Sequence, residues 1–306
     1  MVLKTIYVVR HGFRSNWVVN ASTGEYTHNF PTPTGIPSDP ALASHGVEQS
    51  NELAKHLLSQ TPAIDTIYSS PFYRCLQTLA PTVTSLNSSS SSRPLLVRPD
   101  PGIGEFYGLA RFDHPSPATL SVLLPHFPDQ LDATPAPPTI VPSKNGESPT
   151  TLHDRVAYAI DRIIARADAE GKEALLLCTH AAVMICLGRA LTGDMPEDIG
   201  EADFGCATCA FTRFERVGQG DDRGERWSAE RPEDVPDLEW RGKGVQGGWK
   251  CVVNGDCGFL KNGEERGWRF SGDESFLRDP DKFNNPAADS TVQSEEKVQR
   301  RSSPRL

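Results

Sequence analysis

Three runs of apolar and β-branched residues are each followed within five residues by arginine or histidine. These residues are Arg10, His11 and Arg14 after TIYVV, Arg74 after TIYSS, and His180 after ALLLCT. Arginine keeps its charge and presents a planar fork that matches phosphate oxygens in pairs. If the three runs are strands that end at one place, the sequence predicts a pocket for a compact anion, and phosphate fits it best.

A neutral histidine in such a pocket could react as well as bind. Imidazole can attack phosphorus in line and form a phosphohistidine that water later hydrolyses, provided that neighbouring cations neutralise the phosphoryl oxygens. The arginines beside His11 are expected to lower its pKa and keep it unprotonated. The leaving oxygen needs a proton, and Glu105 in GIGEFYG is the candidate donor. Its glycine and aromatic neighbours are expected to raise its pKa by desolvation.

The elements that must position these residues are strands alternating with helices. Strands are predicted at 5–9, 66–70, 95–98 and 173–180, with a last strand in FGCATCAFTRFER at 204–216. Helices are predicted at 44–59, after Pro71, at 152–170, and from Ala181 to a stop at Gly193. This alternation predicts an α/β fold, a three-layer sandwich with a mainly parallel central sheet flanked by helices. Ligands of such sheets bind at the carboxyl ends of the strands.

One domain is predicted over residues 1–278, with two surface insertions. The proline-dense stretch at about 114–143 should run over the surface, and the charged, glycine-rich stretch at about 216–247 is predicted to be a long loop. The aromatic-bearing segment at about 249–270 is predicted to form a C-terminal β-hairpin that packs back on the domain. The polar residues 279–306 are predicted to be a disordered tail.

Composition excludes several classes of function. A formal net charge of -9 argues against direct binding of nucleic acid along the surface. No stretch approaches the roughly 18 apolar residues of a membrane span, so no membrane contact is expected. Seven scattered cysteines favour reduced thiols, and therefore the cytoplasm or nucleus, over a disulfide framework. GxSxG, Walker A and HExxH patterns are absent from the sequence.

The CATC motif at 206–209 has the spacing of half a zinc site. It lies in the predicted last strand, where residues three apart face opposite sides, so its two sulfurs could not easily bind one metal. Cys206 and Cys209 are therefore predicted to be buried structural cysteines.

Taken in order, the motifs resemble those of the histidine phosphatase superfamily, whose fold is phosphoglycerate-mutase-like. They are RHG at 10–12, SSPFYRCLQT at 69–78, GIGEFYG at 102–108, GESPTTLHDRV at 146–156 and CTHAAV at 178–183. The resemblance covers about residues 3–215. It implies that His11 is the phosphoryl-accepting nucleophile, that Arg10, Arg74 and His180 complete the phosphate pocket, and that Glu105 donates the proton. It also implies a phosphoric monoester hydrolase that needs neither a metal nor a cofactor.

Two departures from the common family pattern indicate a subgroup. Mutases and many broad phosphatases have Glu-Thr or Glu-Ser after RHG and an asparagine six residues past the histidine, whereas this chain has Phe13, Arg14 and Trp17. This pattern is closer to the branch that contains the Sts (UBASH3) phosphatase domains and the phosphatase-like tau 55 kDa subunit of fungal transcription factor IIIC. In that branch the arginine that matches Arg14 lines the phosphate pocket. Ala43 is a further departure, because threonine is common there.

Other polar and aromatic residues have less specific interpretations. Phe13, Trp17, Phe106 and Tyr107 could form an aromatic rim for a phenyl or nucleotide leaving group. Glu147 either touches the pocket or belongs to a helix start with Ser148 as N-cap and Pro149 at the first position. Arg155 is interpreted as solvated. Six further histidines are interpreted as surface or capping residues: His28, His45, His56, His114, His126 and His153.

Three functions are consistent with these motifs. The first is a phosphomonoesterase that acts through a phosphohistidine on a phosphorylated small molecule or phosphoprotein. The second is a phosphoglycerate mutase or sugar bisphosphatase, which the proline-rich stretch at 114–143 does not favour because it does not resemble a lid. The third is an assembly subunit that keeps the pocket, has weak or no turnover, and binds a protein partner, for example in a transcription complex.

Overall fold

The computed structural model of the chain describes residues 3–88, 94–134, 136–220, 226–272 and 274–277. Its strands are β1 (Thr5–Arg10), β2 (Trp17–Asn20), β3 (Glu25–His28), β4 (Thr66–Ser69), β5 (Val97–Pro99), β6 (Ala174–Thr179), β7 (Phe211–Arg216) and β8 (Trp249–Asp256). Its helices are α1 (Ser44–Leu58), α2 (Tyr73–Ser88), α3 (Leu120–Leu123), α4 (Pro149–Ala169) and α5 (Ala181–Thr192), with a 3-10 turn at Pro101–Ile103. The predicted tail at 279–306 lies outside the described residues.

A six-stranded sheet with the order β5-β4-β6-β1-β7-β8 forms the centre of the fold. The pairs from β5 to β1 are parallel, and β7 and β8 add two antiparallel pairs at one edge. Helices α1 and α2 pack on each other, as do α4 and α5, and α2 and α5 contact the sheet. The predicted three-layer α/β sandwich with a mainly parallel sheet is confirmed.

The central strand β6 is apolar throughout because it is covered on both faces. Leu175, Leu176 and Leu177 have no exposed surface, and burying each side chain contributes about 1.5–3 kcal/mol. Strand β1 is buried in the same way up to Val9. The continuous apolar runs in the sequence are therefore explained by a parallel sheet with helices on both sides.

The register of the parallel strands brings their polar ends together. Arg10 is paired with Thr179, and Ser69 is paired with Cys178. One residue later, the His11 amide donates to the Thr179 carbonyl at 3.0 Å and the Ser70 amide donates to the Cys178 carbonyl at 2.9 Å. The ends of β1, β4 and β6 therefore meet at one edge of the sheet, as the sequence predicted.

The predicted C-terminal hairpin at 249–270 is wrong. The segment forms one strand, β8, which pairs with β7. The chain then turns at residues 258–259 and again at 261–262, before Gly263 with its positive φ, and no strand is assigned over residues 257–272. Because glycine-containing turns follow one another closely, too few residues lie between them to form a second strand that pairs with β8. We call residues 257–272 the C-terminal strap.

The predicted last strand starts later than its sequence suggests. Residues 206–210 form a turn in which the Ala210 amide donates to the Ala207 carbonyl at 3.0 Å, and β7 begins at Phe211. Cys209 has a φ of 56°, a left-handed conformation that no strand accommodates. Placing CATC in a strand was therefore wrong, whereas the prediction that Cys206 and Cys209 are buried is confirmed.

The two predicted insertions lie only partly on the surface. The first contains α3 and buries Leu123, Phe127 and Ile140. In the second, Trp240 is 1% exposed and its indole N–H donates to Asp154 on α4 at 3.0 Å. Apolar side chains thus anchor both segments to the core. The prediction missed this because it considered only the proline and charge content of the segments.

Among the helices of the described ranges, none is long and apolar enough to cross a membrane.

Candidate phosphate-binding site

A cavity of about 430 Å³ opens at the edge of the sheet where β1 ends. Its charged and titratable wall consists of Arg10, His11, Arg14 and Glu105. Arg74 and His180 are fully buried and both contact Glu105. The structure therefore brings together all six residues that the sequence selected from four separate stretches of chain.

His11 presents one ring nitrogen for chemistry. Its Nδ1 lies 2.8 Å from the carbonyl oxygen of Gly12, and because a carbonyl only accepts, the proton is on Nδ1 and the lone pair on Nε2. Burial, followed by the positive charges of Arg74 and Arg10, holds the pKa of His11 well below the usual histidine range. The low pKa favours a neutral imidazole at His11, and its Nε2 keeps a free lone pair.

Glu105 joins the two buried residues behind the cavity. Its Oε2 accepts from Arg74 Nη2 at 2.7 Å and lies 3.2 Å from His180 Nδ1. Arg74 also pairs with the buried carboxylate of Asp39 at 3.3 Å and donates to the Ser38 carbonyl at 3.1 Å. These contacts fix the Arg74 guanidinium and the Glu105 carboxylate in a single orientation.

The expectation that desolvation raises the pKa of Glu105 is wrong. Burial does act in that direction, but His180 and Arg74 outweigh it and hold the pKa of Glu105 well below the usual glutamate range. Both are distant in sequence, whereas the prediction considered only the adjacent glycine and aromatic residues. Glu105 is therefore a carboxylate in the free protein.

The neighbours of His180 favour its protonated form. Burial lowers its pKa, but Cys75 and the Glu105 carboxylate raise it above the usual histidine value. Its Nε2 lies 2.7 Å from the Ser70 hydroxyl. In its protonated form the ring donates to Ser70 from one nitrogen and to Glu105 from the other, and adds positive charge at the base of the site.

Three arginines at this site each have an unused donor. The Nε atoms of Arg10, Arg14 and Arg74 are buried and have no hydrogen-bond partner among the described residues. A buried donor without a partner is costly, so three of them beside one cavity indicate a ligand rich in acceptors. Arg14 also stacks on Trp17, with its guanidinium carbon 3.9 Å from the ring centroid. A compact anion satisfies this arrangement.

Three residues of the site also have the spacing of metal ligands. Ligand atoms of His11, Glu105 and His180 all lie within 4.8 Å of one another. A cation there would face the guanidinium groups of Arg10, Arg14 and Arg74, and like charges in a poorly solvated site repel strongly. The electrostatics therefore fit an anion better than a metal ion.

The outer wall of the cavity is largely aromatic, and half of its aromatic residues were missed by sequence reasoning. The aromatic residues in the wall are Trp17, Tyr26, Phe106, Tyr107, Trp268 and Phe276. Tyr26 belongs to the β2–β3 hairpin, and Trp268 lies in the C-terminal strap. No sequence signal links Tyr26, Trp268 and Phe276 to the site, because they are far in the sequence from the motifs that form the phosphate pocket.

Phe13 does not belong to the aromatic rim that was predicted with Trp17, Phe106 and Tyr107. The guanidinium of Arg266 covers the Phe13 ring, with a carbon-to-centroid distance of 3.6 Å, and His45 packs edge-on against it. This correction shows that the side chain after RHG points towards the strap, away from the cavity.

Two of the histidines set aside as surface or capping residues are buried. His114 Nε2 donates to the Gly108 carbonyl at 2.9 Å, so its Nδ1 accepts from the Tyr26 hydroxyl at 2.6 Å. The Tyr107 ring stacks on His114 with a centroid distance of 4.7 Å. His153 is also buried and bonds the Pro149 carbonyl. His114 thus supports the cavity wall by fixing two of its tyrosines.

Glu147 and Arg155 form a buried ion pair instead of touching the cavity or solvent. Arg155 Nε donates to Glu147 at 2.8 Å, and Arg155 has no exposed surface, so its interpretation as solvated was wrong. Ser148 caps α4 by accepting from the Thr151 amide at 3.1 Å, and Pro149 occupies the first turn. The helix-start interpretation of Ser148 and Pro149 is confirmed.

Comparison with known proteins gives one family match and several relatives. The family model for the histidine phosphatase superfamily (branch 1) matches residues 6–228. The chain is 33% identical over 279 residues to the transcription factor tau 55 kDa subunit of Saccharomyces cerevisiae, covering 88% of this chain and 59% of the yeast protein. It is 26% identical over 218 residues to the ecdysteroid-phosphate phosphatase of Drosophila melanogaster, covering 65% of this chain and 28% of the fly protein. The chain therefore spans only part of the length of these relatives.

A solved structure supports the fold. The ecdysone phosphate phosphatase from Bombyx mori, determined in complex with tungstate, superposes with a TM-score of 0.52 at 16% sequence identity, covering 74% of this chain and 98% of that one. At this identity the likeness concerns the fold alone.

Proposed function

Because the chain belongs to branch 1 of the histidine phosphatase superfamily, we propose that it is a phosphomonoesterase that transfers the phosphoryl group to His11 and then to water. The observation that carries the proposal is the set of three buried, unpartnered arginine Nε groups beside a neutral His11. The arginines supply the charge that a transferring phosphoryl group needs, and His11 supplies the lone pair.

In the first step, His11 Nε2 attacks phosphorus and the ester P–O bond breaks. The bonding electrons go to the leaving oxygen, which takes a proton from Glu105. In the second step, water attacks the phosphohistidine, Glu105 takes a proton from that water, and the P–N electrons return to Nε2. Arg10, Arg14 and Arg74 neutralise the phosphoryl oxygens in both steps, so the proposed reaction uses no metal ion.

The low pKa of Glu105 decides where its proton comes from. Since the free protein holds Glu105 as a carboxylate, the proton enters with the ester as its monoanion. The negative charge of the bound phosphoryl group next to Glu105 then raises the pKa of the carboxyl and allows it to carry that proton.

We expect the wild-type chain to hydrolyse p-nitrophenyl phosphate in the presence of EDTA and, in a separate assay without chelator, to be inhibited competitively by orthovanadate. The reason is that the arginines and His180 provide the positive charge that a metal would otherwise supply. The measurement is the initial rate with and without chelator and divalent cation. Activity that disappears in EDTA and returns with a divalent cation contradicts metal independence.

The pH dependence of kcat/KM for a phosphomonoester is expected to favour acid. The pKa of His11 lies well below the usual histidine value of 6.5, so lowering the pH through 6.5 leaves the nucleophile unprotonated. Raising the pH above about 6 removes the ester monoanion that brings the proton for Glu105, so kcat/KM should fall. A maximum on the alkaline side of neutrality contradicts this assignment of the proton.

The cavity offers no obvious second anion site for a mutase or a sugar bisphosphatase. Among the described residues its cationic groups are Arg10 and Arg14, both at the phosphate end, and apart from Asn16 its outer wall is aromatic or aliphatic. A substrate with a carboxylate or a second phosphate would meet no counter-charge there. The walls therefore favour a monoester with an apolar leaving group, on a small molecule or a phosphoprotein.

A second candidate function is assembly, and the similarity to the yeast transcription factor subunit favours it. That similarity extends over 88% of this chain, beyond the residues matched by the family model. A protein complex partner and a nuclear location follow from this candidate, whereas an independent phosphatase fits the cytoplasm as well. A folded wild-type chain that neither hydrolyses p-nitrophenyl phosphate nor binds orthovanadate would favour assembly over catalysis.

A further inference from the structure

The C-terminal strap reaches the phosphate site although it lies outside the 6–228 match to the family model. Trp268 forms part of the cavity wall. The backbone and side chain of Arg266 contact the segment that carries Arg10 and Arg14. Residues far beyond the shared motifs thus take part in building the site.

The strap fixes the guanidinium of Arg10. Arg10 Nη1 donates to the carbonyl of Cys206 at 2.6 Å and to the carbonyl of Arg266. The hydrogen bonds from this nitrogen to two carbonyls fix the plane of the guanidinium group. The Nε of Arg10 has no hydrogen-bond partner among the described residues. Arg10 is therefore held in a fixed orientation before any ligand arrives.

The side chain of Arg266 fixes the neighbouring turn. Its Nη1 donates to the Arg14 carbonyl at 2.8 Å and to Asn16 Oδ1 at 3.3 Å, and its guanidinium stacks on Phe13. Arg266 has a φ of 52°, a conformation that is costly for a residue other than glycine and persists only where the surroundings enforce it. Arg266 therefore contacts the chain on both sides of His11.

Glu265 anchors the strap to two other elements. Its carboxylate bonds His45 and Gln49 of α1, and Gln49 Oε1 in turn accepts from the Phe13 amide at 2.9 Å. Its carbonyl accepts from the Thr208 amide at 2.9 Å. The position of Arg266 is thus determined by α1 on one side and by the turn before β7 on the other.

We propose that Arg266 of the strap is a positioning residue of the phosphate-binding site: its side chain holds the turn that carries Arg14 ready for the phosphoryl group, next to the Arg10 guanidinium that its carbonyl orients. This inference rests on the proposed function. A long arginine side chain that must be ordered on binding loses affinity, so holding it beforehand strengthens binding of the anion. Because the ester and the transition state carry the same phosphoryl group, the gain affects KM more than kcat.

The test compares Arg266→Ala with a matched control in the same strap. Arg269 is exposed, so Arg269→Ala removes the same charge without touching the site. We expect Arg266→Ala to raise KM for p-nitrophenyl phosphate and the calorimetric Kd of orthovanadate about tenfold, with kcat changed less than about threefold. Arg269→Ala should match the wild type in all three quantities.

Arg266→Lys separates positioning from a merely structural role. Lysine can donate to the Arg14 carbonyl but cannot reproduce the planar stack on Phe13, so it should restore part of the affinity. Wild-type KM and orthovanadate affinity in a folded Arg266→Ala overturn the proposal. If Arg266→Ala does not fold, Arg266→Gln replaces it, and the same result in that variant overturns the proposal.

Failure of the proposed function has a different signature. A wild-type chain that binds orthovanadate without hydrolysing phosphomonoesters contradicts the catalytic proposal. The orthovanadate affinities of the Arg266 variants would still decide the role of the strap.

Discussion

Replacing His11 with alanine is expected to lower kcat for p-nitrophenyl phosphate by at least about 10⁴-fold while the chain stays folded, because the nucleophile is lost. His180 cannot replace it, because its two ring nitrogens face Ser70 and Glu105. The lost contact to the Gly12 carbonyl costs about 1–3 kcal/mol of stability. The measurement is steady-state turnover together with thermal unfolding.

The control for this variant is His126→Ala, which removes an exposed histidine outside the cavity and should leave kcat unchanged. Binding of inorganic phosphate, measured by calorimetry, should persist in His11→Ala because Arg10, Arg14 and Arg74 remain. A loss of kcat of less than about tenfold would mean that water attacks the ester directly and that His11 is not the nucleophile.

The parts of the site that could be predicted from the sequence are those fixed by local pattern. The apolar runs at β1, β4 and β6 each end in the residue that the site uses, and parallel register then requires those ends to meet. The family resemblance, read from motifs in the same stretches, is confirmed by the match over residues 6–228.

The parts that could not be predicted depend on contacts between distant residues. The pKa of Glu105 follows from Arg74 and His180, not from its adjacent glycines. The aromatic wall depends on Tyr26 of the β2–β3 hairpin and on Trp268, which approaches the cavity only once β8 has directed the strap across the β1 end of the sheet. Sequence pattern specifies which face of an element is buried, but not which remote segment covers it.

The second large effect is expected for Glu105→Gln, and its size should depend on the leaving group. For an alkyl phosphate such as β-glycerophosphate, kcat/KM should fall by about 10²–10⁴-fold, because the alkoxide must be protonated as it leaves. For p-nitrophenyl phosphate, whose leaving group is stable as an anion, the loss should be less than about tenfold. The value of kcat/KM depends only on the steps up to release of the alcohol. Slower hydrolysis of the phosphohistidine therefore does not affect the comparison between the two substrates.

The difference between the two substrates distinguishes proton donation by Glu105 from a role in which Glu105 only positions its cationic neighbours. Glu105 also holds Arg74 at 2.7 Å and contacts His180, and glutamine keeps the shape while removing the charge. If the carboxyl only orients these two cations, both substrates need them equally, and Glu105→Gln should lower kcat/KM for both by the same factor. A loss confined to the alkyl ester requires a proton transfer at Glu105. Its low pKa in the free protein then implies that substrate binding itself converts the carboxylate into the acid.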